Sequence, residues 1–290
     1  MPDDTVCWRQ QPEFSRPLAL ILDIDGVVIH TPSYHVVIVR AVEQALRSTS
    51  VMVPDTSVQA VADIKRQGGY NSDWDIASAL IWGAFSGIDM VAFAAAHPGG
   101  GLAALVAAGA AGMDVWPRQK VSALCSEIYA GSEACERVFG TPSGVSAQVE
   151  PGVYQSETPL VTREDLSGPW RIAAYTGRIR SEAEFGLRRC GLWDIFEPAL
   201  VVAGDRYLKP DPAGLAYALG LVGCQRGLFV GDNRDDLETV LRQPRKDVLF
   251  AAVGTGVLGP QGHRFLFDLG ADAASPRLAD LLADLRRRLS

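Results

Sequence analysis

The chain has 290 residues, 48% of them hydrophobic, and carries 34 acidic against 27 basic side chains for a net charge of −7. That length suits one large α/β domain or a core with a smaller companion, and without a basic excess to neutralise phosphates, binding to nucleic acid is set aside. Five scattered cysteines with no CxxC pair and four histidines with no HxxxH argue against a zinc site and against a secreted disulfide scaffold, so a cytoplasmic protein is expected.

In chain order, residues 1–16 read as a polar leader with early acids and no basic segment, so no targeting signal is expected. Leu18–Leu22 (LALIL) then forms a short apolar run of the kind buried on both faces of a parallel sheet. It stops on Asp23 and Asp25, placed where open α/β sheets bind ligands. Two carboxylates crowded at a strand end repel, and a cation or proton between them relieves the cost. Two solvated acids at a turn remain an equally open reading.

Residues 31–165 read as helices and loops without a strand. Ser33 is a candidate N-cap for a helix to about Arg47, and Pro54-Asp55 opens a second that ends at Gly68-Gly69. Asn71 or Ser72 can cap a third, which carries Trp74, Ile76, Leu80 and Ile81. Further helical patterns run over 89–97, 102–111 and 118–139. The stretch from Met90 to Met113 lacks Asp, Glu, Lys and Arg, but Pro98 and Gly99–Gly101 break it, so two short helices are expected and no membrane span.

From Gly168 the pattern changes. Strands are expected at Trp170–Tyr175, Ala199–Ala203, Gly227–Val230 and Val248–Val253, separated by helices, with a closing amphipathic helix at Leu278–Leu289. Alternation with short links predicts an α/β, doubly wound (Rossmann-like) parallel sheet with right-handed crossovers. Leu18–Leu22 must join that sheet. The expected division is therefore a core from 1–30 and 166–290, with an all-helical insertion at 31–165.

Polar residues collect where four strands should end: Asp23 and Asp25, Thr176, Lys209, and Asp232 with Asp236. One polar strand end is easily explained by packing, whereas four together point to a site. The run GTGVLG at 254–259 has the form of a dinucleotide-binding loop, but Pro260, Gly262 and His263 oppose the helix that must follow.

DIDGVV, the threonine of YTGR, the Lys-Pro of LKPDP, and GDNRDD resemble, in order, the four motifs of the haloacid dehalogenase-like superfamily of aspartate-nucleophile phosphohydrolases. The resemblance covers residues 18–30 and about 168–290. The helical insert is similar to the C1-type cap of the subfamily I branch, and KRQGGYNSDW within it is similar to a cap signature of one group of these phosphatases.

The resemblance implies Asp23 as nucleophile, Asp25 as general acid/base, and Thr176 and Lys209 as the groups that bind and neutralise the phosphoryl oxygens. It implies Mg²⁺ held by Asp23, Asp232, Asp236 and the backbone carbonyl of Asp25. Gly177, Arg178, Asn71 and Trp74 are candidate substrate contacts, with Tyr70 and Asp75 beside the last two. For Arg178 a solvated position at a helix start is an equally open reading, and for the cap aromatics so is packing. The expected activity is Mg²⁺-dependent hydrolysis of a small phosphorylated metabolite through an aspartyl-phosphate. The alternatives are a sugar phosphomutase on the same aspartate and a phosphate- or metal-binding protein without catalysis.

Overall fold

The computed structural model describes residues 6–12, 14, 17–142, 144, 151–196, 198–244 and 247–290. The expected leader thus lies partly outside the described residues. The chain divides into two compact units, Met1–His30 with Glu157–Ser290, and Thr31–Ser156. No single helix among the described residues is long and apolar enough to cross a membrane.

The first unit is built on a seven-stranded sheet whose strands, in chain order, are β1 (Cys7–Trp8), β2 (Leu18–Leu22), β5 (Trp170–Tyr175), β6 (Val201–Val202), β7 (Gly227–Gly231), β8 (Val248–Val253) and β9 (Ala273–Ser275). A separate ribbon pairs β3 (Ile29–His30) with β4 (Thr158–Pro159). The sheet order is β1-β9-β8-β7-β2-β5-β6, parallel throughout except for β1 against β9. All five residues of β2 are buried, because helices cover both faces. Leu18, Leu20 and Leu22 pack with Ala183 and Leu187 of helix Arg180–Arg189 and with the closing helix Leu278–Leu289. Ala19 and Ile21 point the other way, toward Leu215, Leu237 and Leu266 of helices Pro212–Leu221, Arg234–Leu241 and Gly262–Asp268. This is the doubly wound arrangement, with β2 inside it.

Several expectations are corrected in this unit. The strand after Trp193 is only two residues long, because a 3₁₀ turn occupies Pro198–Leu200. A helix does follow the 254–259 loop, and His263 is buried within it. The return from the helical unit falls at 156/157 instead of 165/166, because Thr158–Pro159 pairs with Ile29–His30 and Leu166 packs into the sheet core.

The second unit is helical: Pro32–Leu46, Val58–Arg66, Asp73–Ser86, Met90–Ala96, Gly101–Ala107, Arg118–Ala130 and Ser132–Phe139. The first, third and sixth of these pack on one another. Pro32, with its fixed φ, opens the first helix, so Ser33 lies buried inside it and does not cap it. The pattern over 118–139 is two helices, split at Gly131, whose φ of 75° is costly for any other residue. The helix expected over 102–111 ends at Ala107.

The stretch KRQGGYNSDW is largely explained by packing. A Cβ on Gly69 would collide with the backbone of Gly99 and Gly101. The neighbouring Tyr70 is buried and donates to the Gly101 carbonyl at 3.2 Å, while Lys65 pairs with Asp73 at 3.0 Å. Asp75 accepts from Arg118 at 2.6 Å. Tyr70 is therefore a core residue, and burial pushes its hydroxyl up to about 12.

Candidate active site

The parallel strands end together, and each end is punctuated by polarity in the sequence. Asp23 continues the line of β2: its N–H donates to the Val230 carbonyl of β7 at 2.9 Å, which fixes its backbone as part of the sheet. Its carboxylate Oδ1 accepts from the Ile24 N–H at 2.8 Å. Gly26 then turns the chain with φ 69°, and the N–H groups of Val28 and Ile29 both close onto the Ile24 carbonyl at 2.9 Å.

Lys209 enters from the loop before helix Pro212–Leu221. Its ammonium lies 2.8 Å from Asp23 Oδ1 and 2.7 Å from Asp236 Oδ1, and its side chain is fully buried. The rings of Tyr175 and Phe229 lie beneath it, each centroid 5.3 Å away. Lys209 is thus not a solvated surface lysine. Burial opposes its charge, but Asp23 and Asp236 outweigh that and push the ammonium above its ordinary value.

At the end of β7, Asp236 closes a capping box with Asn233. Its Oδ2 accepts from the N–H of Asp232 at 3.1 Å and of Asn233 at 3.3 Å, and Asn233 Oδ1 accepts from the Asp236 N–H at 3.1 Å. Both oxygens of Asp236 are thus engaged, one by Lys209 and one by the helix start. Asp232 Oδ2 accepts from the Val257 N–H at 3.0 Å. Val257 belongs to the 254–259 loop, and Thr255 of the same loop donates its hydroxyl to the Gly26 carbonyl. A Cβ on Gly256 would overlap the Asp232 carboxylate. The glycines once weighed for a dinucleotide instead let this loop lie against an acidic side chain.

Carboxylate oxygens of Asp23, Asp232 and Asp236 all lie within 4.8 Å of one another, and all three residues are buried. With all three carboxylates ionised, three carboxylates and one lysine (−3 + 1) leave a deficit of two positive charges. Burial pushes Asp23 well above the ordinary carboxylate range; Lys209 pulls it down, and Asp236, Asp25 and Asp232 push it up again. An all-oxygen, doubly negative cluster fits a hard divalent ion such as Mg²⁺. The Asp25 carboxylate stands outside this group among the described residues.

Thr176 follows β5 and is buried; its N–H donates to the Val202 carbonyl at 3.0 Å, and its hydroxyl accepts from the Arg178 N–H at 3.2 Å. Gly177 beside it is exposed. Arg178 is not a solvated side chain. It is buried, and it grips the Asp25 carboxylate through Nε at 3.0 and 3.2 Å and Nη2 at 2.6 Å. The same Nη2 donates to Glu157 at 3.0 Å. Sequence reasoning missed Glu157, which carries no motif and fell in the stretch read as cap. Asn71 and Trp74 belong to the helical unit: Asn71 precedes helix Asp73–Ser86, and half-buried Trp74 in its first turn packs edge-on against Tyr34 and Tyr129.

A phosphatase from Thermococcus thioreducens has the same architecture, with a TM-score of 0.59 and 25% identity over 86% of this chain and 99% of that one. The fold is that of the haloacid dehalogenase-like proteins. A haloacid dehalogenase-like family protein from Streptococcus pneumoniae shares the fold at 12% identity, with a TM-score of 0.53 over 93% of this chain and 98% of that one. The pyrophosphatase PpaX of Bacillus velezensis is 27% identical over 88 residues, which span 29% of this chain and 41% of that relative. No family model matches the chain. Within the haloacid dehalogenase-like fold, the strand ends that carry Asp23, Thr176 and Asp232 belong to one parallel sheet.

Proposed function

We propose that the chain is a Mg²⁺-dependent phosphatase that hydrolyses a small phosphorylated metabolite through an aspartyl-phosphate on Asp23. The observation that carries this reading is the buried cluster of Asp23, Asp232 and Asp236, the first and last of them paired with Lys209, which with all three carboxylates ionised is two positive charges short of neutral. A phosphate monoester resists attack by an anion, so the site must supply positive charge and a fixed nucleophile before anything else. Burial strips water from the Asp23 carboxylate, and the Ile24 N–H and Lys209 fix its orientation.

Asp23 and Asp232 would hold the cation together with the Asp25 carbonyl, and Asp236 would supply charge through Lys209 and the helix start. When bound, Mg²⁺ neutralises the cluster and draws charge from the transferring phosphoryl group. Lys209 neutralises the aspartyl-phosphate as a point charge. The exposed Gly177 lets a phosphoryl oxygen approach the loop that Thr176 anchors. Asp25, whose half-exposed carboxyl group lies outside that cluster, donates a proton to the departing oxygen and later takes one from the hydrolytic water. The C1-type cap assignment, and substrate contacts by Asn71 and Trp74, belong to this same reading. So does a cytoplasmic setting, with which five free cysteines are consistent.

The test is phosphate release across a panel of phosphorylated metabolites, with and without Mg²⁺. Metal-dependent release that Asp23→Asn abolishes is the expected result. Interconversion of sugar phosphate isomers with little release would indicate a phosphomutase, and metal binding without turnover would indicate a non-catalytic protein.

A further inference from the structure

We propose that Glu157 is a positioning residue for the proton donor, holding the Arg178 guanidinium so that it fixes the carboxyl group of Asp25 toward the leaving oxygen. This rests on the phosphatase reading above and deepens it. The side chain of Asp25 is 29% exposed, whereas those of Asp23 and Asp236 are 5% and 0% exposed. A half-exposed carboxyl group samples several rotamers unless something restrains it. Arg178 supplies the restraint as a planar fork, with Nε and Nη2 both on Asp25, so the plane of the carboxylate is set as well as its position.

An arginine on a long flexible stem restrains nothing unless it is itself held. Here its side chain is 1% exposed, Nη2 is shared with Glu157 at 3.0 Å, and Nη1 reaches the Glu182 carbonyl at 3.5 Å. Gly186 packs against the guanidinium so closely that a Cβ there would run into Nη1. Glu157 is 0% exposed, and a carboxylate so buried is tolerated when paired with a cation. A pair that served only the fold could close on itself. This one spends half of its guanidinium on a half-exposed side chain at the reaction site.

In the reaction, a bond forms between phosphorus and an Asp23 oxygen while the phosphorus–oxygen bond to the leaving group breaks. The electron pair of the broken bond stays on the leaving oxygen, which takes the Asp25 proton. The need for that proton rises with the basicity of the leaving group: a phenol, with a pKa of about 10 like tyrosine, needs it more than a nitrophenol.

The experiment compares 4-nitrophenyl, phenyl and 4-methoxyphenyl phosphate with the full chain and Mg²⁺. In Glu157→Gln, kcat for phenyl phosphate should fall roughly tenfold more than for the nitrophenyl ester, with KM changed less than about threefold. Added to Asp25→Asn, the same substitution should have no further effect, because the group it positions is gone. Arg178→Lys keeps the charge and loses the fork, and should give the same selective loss. It also serves as the second variant if Glu157→Gln does not fold by circular dichroism. An equal loss across the three esters, or none, would overturn the proposal. A wild-type protein that releases phosphate from none of the three, nor from any metabolite of the panel above, overturns the phosphatase reading, and the proposal falls with it.

Discussion

The two units bury different things. Among the described residues the sheet unit encloses nine buried charged side chains, and the helical unit encloses one, Glu127. What the helical unit encloses is aromatic: Tyr129 is fully buried, stacked on Tyr34 at 5.4 Å and edge-on to Trp74 and Phe139. Burying charge is costly and does little for stability by itself, whereas burying rings stabilises a fold directly. The sheet unit thus keeps a costly arrangement that the proposed chemistry would explain, while the helical unit contains mainly what its own packing requires. Substitutions in the two regions should accordingly fail in different ways.

The largest effect is expected at Asp23. Asp23→Asn should lower phosphate release by ~10⁴-fold or more, as loss of a nucleophile does elsewhere, while circular dichroism and thermal unfolding show an intact fold. A comparable loss of folded protein would assign Asp23 to structure and erase the contrast between the units. Lys209→Met should cost both properties, because it leaves Asp23 and Asp236 buried without their cation; about 3–5 kcal/mol of stability is expected to go with turnover, measured by urea denaturation.

In the helical unit the opposite pattern is expected. Tyr129→Ala removes a ring that touches Tyr34, Trp74, Phe139 and Tyr154, and should destabilise by about 3–5 kcal/mol, with the loss seen first in proteolysis of 31–156. Smaller again is the response to cation. At a hundredfold excess over its dissociation constant, Mg²⁺ should stabilise the wild type by about 2.7 kcal/mol, read as a rise in Tm. Asp232→Asn should abolish that rise, and a rise that survives in this variant would place the ion elsewhere.

How much of this was legible in the sequence follows from the same contrast. The strand ends could be read because several of them together carry a polar residue after an apolar run, which packing explains poorly: Asp23, Thr176 and Asp232 follow their strands as expected. Lys209 was legible from its place among the strand ends and in LKPDP, but its double pairing was not, since Asp236 lies 27 residues away (236 − 209). Glu157 was invisible because a lone glutamate in a loop is ordinarily solvated, and only the return of the chain beside β3 brings it to Arg178. The short strands at Cys7–Trp8 and Ala273–Ser275 were missed, because two or three residues carry no periodicity. In the helical unit the glycines of 99–101 read as a turn, whereas their close approach to Gly69 is set by packing between segments about thirty residues apart, which local pattern does not carry.

The smallest effect separates structural charge from site charge inside the sheet unit. Asp284 accepts from Trp8 Nε1 at 2.8 Å, Arg288 at 2.6 Å and Arg287 at 3.0 Å, which ties strand β1 to the closing helix. Burial alone would push its carboxyl group up, but the bonds from Arg288, Trp8 and Arg287 together hold it below the ordinary carboxylate value of 3.8. A group depressed in the folded state binds fewer protons there than in the unfolded chain, so its stabilisation is present above the unfolded pKa and is lost as pH falls through the folded one. Asp284→Asn should therefore cost about 1–2 kcal/mol at pH 7, and the difference from wild type should shrink below pH 3.8. Urea denaturation at a series of pH values reads that convergence. Because Asp284 is balanced by two arginines and needs no cation, Mg²⁺ should stabilise this variant as much as the wild type; a lost Mg²⁺ response would mean that the two charge clusters are coupled through the sheet.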